Sequence, residues 1–148
     1  MNIAYLLLPK MSVAHIYKNS SLRQGLEKMR AHGYQALPVL TEEGEYYGSV
    51  TEGDFLWQIL ENGDEGGKLS RLESVRVADI VRPELNRAVR INAGMSELLD
   101  LVAGQNFVPV VDDRNMFMGI VTRKDVLNYF RGLVSQEDRA VEFKREVS

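Results

Sequence analysis

Cysteine is absent from the 148 residues, which excludes a disulfide framework and thiolate metal sites. Histidine is scarce. His15 and His32 are the only two, far apart and without an acidic neighbour in sequence, so no metal site is expected. No apolar run reaches the ~18–20 residues that span a bilayer. The opening MNIAYLLLPK has no basic leader, and its apolar stretch is only about half a signal core. A cytoplasmic protein with no membrane contact is the expectation. Positive charge is also lacking: 18 Lys and Arg face 21 Asp and Glu, for a net charge of −3. That balance argues against general nucleic-acid binding, which runs on a basic surface.

What is present is a repeated phrase. Residues 48–55 read GSVTEGDF and residues 119–126 read GIVTRKDV. The pairs Gly48/Gly119, Thr51/Thr122, Asp54/Asp125 and Pro38/Pro109 all stand 71 residues apart. A shared offset over that span marks internal duplication.

Both copies follow one plan. HIYKNSSL (15–22) reads as a short extended segment, and LRQGLEKMRAHG (22–33) as a helix stopped by Gly33. ALPVLTEEGEYYGSV (36–50) reads as two strands around a turn, with Pro38 marking an edge or a strand start. A helix follows from Thr51, with Phe55 and Trp57 as core or interface residues. The second copy runs AVRINAGM, MSELLDLVAG, FVPVVDDRNMFMGIV and TRKDVLNYFRGL in the same order. Leu26/Leu99 and Met29/Val102 stand 73 apart, so the offset drops by two before the strands, which predicts a longer loop around Gly33. The expected division is repeat 1 at 1–60, a Gly-rich polar linker at 61–76, repeat 2 at 77–133, and a charged tail at 134–148 whose helix frays. The run from Gly63 to Lys68 imitates a phosphate loop but is one residue too short, and Leu69 stands where Ser or Thr is needed. The fold class is α/β: two β-α-β-β-α units of about 50 residues, each too small to bury a core alone, packed about a pseudo-two-fold axis.

The Pro-Val pairs (Pro38-Val39, Pro109-Val110) and the doubled Gly-φ-φ-Thr-x-x-Asp resemble the tandem CBS domain, or Bateman module, over roughly 1–133. VAHI (13–16), GYQALPVL (33–40) and GIVTRKDV (119–126) resemble more narrowly the stand-alone CBS proteins of Gram-positive bacteria that bind cyclic di-AMP. The resemblance implies a sensor that holds an adenine nucleotide between the repeats, pairs into a disc-like homodimer, and acts on a separate target. In the stand-alone relatives that target is a metabolic or stringent-response enzyme. No cofactor is implied beyond the regulatory nucleotide, with cyclic di-AMP the first choice and AMP, ADP or ATP the alternative.

The resemblance also places residues. Asp54 and Asp125 fall where the family keeps the carboxylate for the ribose diol, a fitting acceptor-only group. Thr51 and Thr122 open helices whose free N–H groups favour phosphate. Arg123 and Lys124 beside Asp125 suit phosphate, whereas Glu52 in the other copy repels it. The main cleft is therefore expected at Thr122, Arg123, Lys124 and Asp125. Ala14, Ala36 and Pro38 would leave room for the base, with Tyr34 stacking on it and Gln35 adding contacts. His15 lies in the same lining segment. A second, weaker cleft is expected at Thr51, Asp54, Phe107, Val108 and Pro109. The competing reading is local: Thr-x-x-Asp is also a capping box, which stabilises a helix start without any ligand. A ligand-free dimerisation scaffold is the second reading of the whole chain. An enzyme is the third, against which stands the lack of a nucleophile–base pair or paired acid/base carboxylates.

Overall fold

The computed structural model describes residues 2–61, 72–82 and 84–147. The Gly63–Lys68 run and most of the expected linker lie outside the described residues. The elements are β1 (Leu8–Pro9), β2 (Ile16–Tyr17), α1 (Leu22–His32), β3 (Ala36–Leu40), β4 (Tyr46–Thr51) and α2 (Glu52–Glu61), then β5 (Val89–Arg90), α3 (Met95–Val102), β6 (Phe107–Val111), β7 (Phe117–Thr122) and α4 (Arg123–Val147).

In each repeat a parallel β-α-β unit is closed by an antiparallel hairpin. Ile16 and Tyr17 pair with Val39 and Leu40, as Val89 and Arg90 pair with Val110 and Val111. The irregularity between Val39 and Leu40 recurs between Val110 and Val111, at the same offset of 71. Helix α1 forms because Leu22, Gly25 and Met29 share a buried face and both ends are capped. Ser21 and Gln24 close a reciprocal capping box, and Gly33 takes the left-handed conformation, φ +68°, that ends the helix.

The two extra residues of the first repeat are spent in the helix, not in the loop that was expected to be longer. Helix α1 has 11 residues where α3 has 8, and the connection that follows is one residue shorter (33–35 against 103–106), so α1 carries an additional turn ending at His32. Pro38 also departs from expectation. It lies in the central strand of the order β2-β3-β4. It is tolerated because β2 pairs only with Val39 and Leu40, leaving β3 one-sided from Ala36 to Pro38. The tail departs too, since α4 continues through Val147 with no break near 133.

The repeats are interleaved. Leu8 and Pro9, in the opening segment of the first repeat, pair with Ile120 and Gly119 of the second. Arg82, in the opening segment of the second, bridges Ser49 of the first. Gly119 is required there: at φ +150°, a Cβ would collide with the Leu8 carbonyl oxygen. At the hairpin tips Glu45 bridges Met116. Tyr46 N–H donates to Asn115 O, and Phe117 N–H to Gly44 O. Those reciprocal bonds, between positions 71 apart, mark the pseudo-two-fold axis.

Each core borrows from the other half. One gathers Ile16, Leu22, Met29, Leu37, Val39, Val50 and Phe55 with Val77 and Ile80. The other gathers Val89, Leu98, Val102, Val108, Val110, Val121 and Val126 with Ile3. Phe55 is core, while Trp57, two residues on, is 63% exposed. No helix among the described residues is long and apolar enough to cross a membrane.

Candidate functional site

Where β3 lacks a neighbour, the two halves leave an apolar slot of about 240 Å³. Ala14, Tyr34, Ala36 and Pro38 come from the first repeat, and Asn106, Phe107, Ile120 and Thr122 from the second, with Leu8 and Val13 completing the wall. Small side chains at Ala14 and Ala36 make the opening. Phe107, expected in the second cleft, stands in this slot because the two β-α-β-β-α units face one another across it. Val108, its neighbour, points the other way into the core and is fully buried, as strand alternation requires. Pro109 is likewise buried, paired with Ile120.

Beyond Val13, Ala14 and Tyr34 the slot opens into a wider chamber of about 500 Å³ lined also by Lys10, Met11, Ser12, His15, Lys28 and His32. Two lysines and two histidines face it, and no carboxylate is among its lining residues. Lys28 and His32 reach it from successive turns of α1, His32 from the added one. His32 stacks parallel to Tyr34, with ring centroids 5.8 Å apart. His15 Nδ1 lies 2.9 Å from the Val13 carbonyl oxygen. That acceptor fixes the Nδ1–H tautomer and leaves Nε2 to the chamber. Burial, foremost, and the charges of Lys10 and Lys28 hold the His15 pKa below its usual 6.5, against the Val13 hydrogen bond.

On the other side, past Leu8, an open groove of about 440 Å³ runs along Tyr5, Leu6 and Leu7 to Asp125, Asn128 and Tyr129 of α4. The two aspartates of the repeated motif differ here. Asp54 Oδ2 accepts from Thr51 N–H at 2.8 Å, and Thr51 Oγ1 accepts from Asp54 N–H at 3.3 Å, a closed capping box. Arg82 Nε holds the other oxygen, Oδ1, at 2.9 Å. In the second repeat Asp125 N–H donates to Thr122 Oγ1 at 3.1 Å, but the return bond is missing. Among the described residues the Asp125 carboxylate has no partner, and it is exposed.

The other expected contacts are placed as follows. Arg123 turns its Nε to the Val102 carbonyl at 2.8 Å, tying the start of α4 to the end of α3. Lys124 is exposed beside it, and neither is among the slot's lining residues. Gln35 is exposed, and its carbonyl accepts from Glu52 N–H at 3.0 Å. Near Thr51 and Asp54, the position matching Tyr34 is Gln105. It is buried and bonded to both backbone groups of Arg87. Sequence reasoning did not place Lys10, Lys28 or His32 around this chamber. The one available signal was the i, i+4 spacing of Lys28 and His32, which places both on one helical face.

The profile of the family described as CBS domain matches residues 8–61 and 77–132. A cyclic di-AMP receptor B from Bacillus subtilis (strain 168) is 28% identical over 115 residues, 78% of this chain and 76% of the receptor. The crystal structure of the Listeria monocytogenes protein CbpB in complex with cyclic di-AMP superposes with a TM-score of 0.79 at 26% identity, covering 90% of this chain and 98% of that one. A further structure of CbpB with cyclic di-AMP gives a TM-score of 0.83 at 20% identity over 95% of this chain and 91% of that one, a likeness of fold alone.

Proposed function

The chain belongs to the CBS domain family, and from that premise we propose that it is a regulatory sensor of adenine nucleotides, with cyclic di-AMP as its ligand. The observation that carries the proposal is the asymmetry of the repeated motif. Asp54 is consumed by a cap and an ion pair, whereas Asp125 is uncommitted beside an apolar slot that opens onto a cationic chamber. The flat base enters the slot between Ala14, Ala36 and Pro38, with Tyr34 along it. Thr122 and Asp125 take the ribose, and the N-terminus of α4, flanked by Arg123 and Lys124, takes a phosphate. The Thr51/Asp54 side stays empty. The similarity to cyclic di-AMP receptors supports this choice of ligand over AMP and ATP.

A sensor acts by binding two states unequally, and the target is a separate protein. Two copies pair through the exposed Leu56, Trp57 and Leu60 of α2 with Leu127 and Val134 of α4, an apolar surface of the kind that marks interaction sites.

Isothermal titration of the purified protein with cyclic di-AMP, AMP and ATP tests the ligand. Tight cyclic di-AMP binding, weakened in Arg123→Ala, with the nucleotide recovered unaltered, is the expected result. Preference for AMP or ATP would make the protein a sensor of energy charge. No heat with any of them, together with a flat thermal-shift panel, would leave a dimerisation scaffold, since a ligand selective for the native state must raise the melting temperature.

A further inference from the structure

Among the described residues, the segment of the other half that matches this chamber's Lys10 lines a cavity of different charge, with Val81, Arg82, Glu84 and Leu85. The pairings Leu8 to Ile120 and Arg82 to Ser49 align Leu8 with Arg82, and therefore Lys10 with Glu84. The offset of 73 that aligns the helices sets Lys28 opposite Leu101. Where the first half presents two lysines, the second presents a carboxylate and an aliphatic group. The slot itself is built from both halves, and the charge belongs to one end of it: Tyr34 lines slot and chamber alike, Thr122 lines the slot alone, and Asp125 lines the groove past Leu8.

Building on the sensor reading, we infer that Lys10 and Lys28, with His32, form a subsite for a second phosphate and so select a cyclic dinucleotide over a mononucleotide. A mononucleotide whose base fills the slot and whose ribose faces Asp125 has one phosphate group, which the start of α4 serves. It leaves the chamber to water. A cyclic dinucleotide carries a second phosphodiester that the ring returns toward the base and past Tyr34. There it meets two ammonium groups across a chamber that contributes no carboxylate. Lysines suit this task, because their flexible stems let point charges follow a phosphate whose exact position the slot does not dictate. The effect of Lys10 and Lys28 on His15 shows that their field already reaches the chamber's wall.

The test is titration of wild type, Lys10→Glu and the double variant Lys10→Gln/Lys28→Gln with cyclic di-AMP, AMP and ATP at low and high salt. Lys10→Glu copies the residue that the second repeat carries at this position. Lys28 is exposed and Lys10 half-buried, and melting temperatures equal to wild type establish that the variants fold. Expected is a loss of about tenfold or more in cyclic di-AMP affinity, AMP within about twofold, and a weaker salt dependence for cyclic di-AMP. Equal losses for AMP, or losses for ATP that match those for cyclic di-AMP, would overturn the selectivity; so would cyclic di-AMP binding unchanged by both variants. If wild type binds no nucleotide, the sensor reading itself falls and the subsite with it.

Discussion

The two aspartates of the repeated phrase have different work. Asp54 is held by its cap and by Arg82, so Asp54→Ala should cost about 0.5–2 kcal/mol of stability while leaving nucleotide affinity unchanged. Asp125→Ala removes a carboxylate without a partner, so stability should stay near wild type while affinity falls. Chemical denaturation and titration on the same two variants check both halves, and a reversed pattern would sink the assignment. His15 adds a pH dependence with two signs. In the free protein its pKa lies below 6.5, so the unfolded chain takes up the proton first, and stability falls as pH drops from about 6.5. A phosphate in the chamber raises that pKa, so binding takes up a proton. Affinity therefore grows as pH falls below the bound-state value and levels off below the free-state one. His15→Gln should flatten both trends, read as melting temperature and as nucleotide affinity across pH 5.5 to 8.

Among the elements, β4 is tied to the opening segment of the second repeat by the Tyr46 side chain. Tyr46 Oη donates to the Asn86 carbonyl at 2.6 Å and lies 2.8 Å from Ser49 Oγ. Burial pushes its pKa up to about 12, so it remains a donor throughout the physiological range. Tyr46→Phe strands the Asn86 carbonyl and should cost about 1–3 kcal/mol, measurable by urea denaturation; an unchanged midpoint would show that water takes over the bond. The helices and hairpins themselves were legible, because period-3.6 and strand patterns repeat twice at a fixed offset and so test one another. Less was legible wherever one element's neighbour decides. The drop in offset showed two extra residues, but a helical turn and a longer loop look alike until the end of the second repeat's helix is placed at Val102. Pro38 reads as an edge residue, and is one locally, only because β2 stops at Tyr17. For the slot, a lining of Thr122, Ala14, Tyr34, Ala36 and Pro38 was recoverable from the motif and the small residues around it. Lys10 and Lys28 were not, since only the fold brings the end of β1 to a face of α1. Nor does any local spacing join Arg82 to Asp54.

At the scale of the whole molecule, duplication has produced one folding unit rather than two. Ile3 is fully buried in the second repeat's core, and β1 lies on that repeat's sheet, although both stand at the start of the first repeat. Val77 and Ile80 return the exchange. A chain of residues 77–133 alone would lack Ile3 and β1, one of the two neighbours of β7, and one of residues 1–60 would lack Val77 and Ile80. Neither half should give a cooperative thermal transition. Mixing the two should restore one, because the cores that each half leaves open are complementary. In the intact chain Ile3→Ala should cost about 2–5 kcal/mol, a loss that falls on the side of the slot formed by Phe107, Ile120 and Thr122. Saturating nucleotide should recover part of it, since binding to the native state alone adds to its stability. Calorimetry of the halves, of their mixture and of Ile3→Ala with and without ligand decides the matter. A separate cooperative transition in either half would show that the repeats fold independently. The slot between them would then be a docking surface between two domains rather than an interior feature of one.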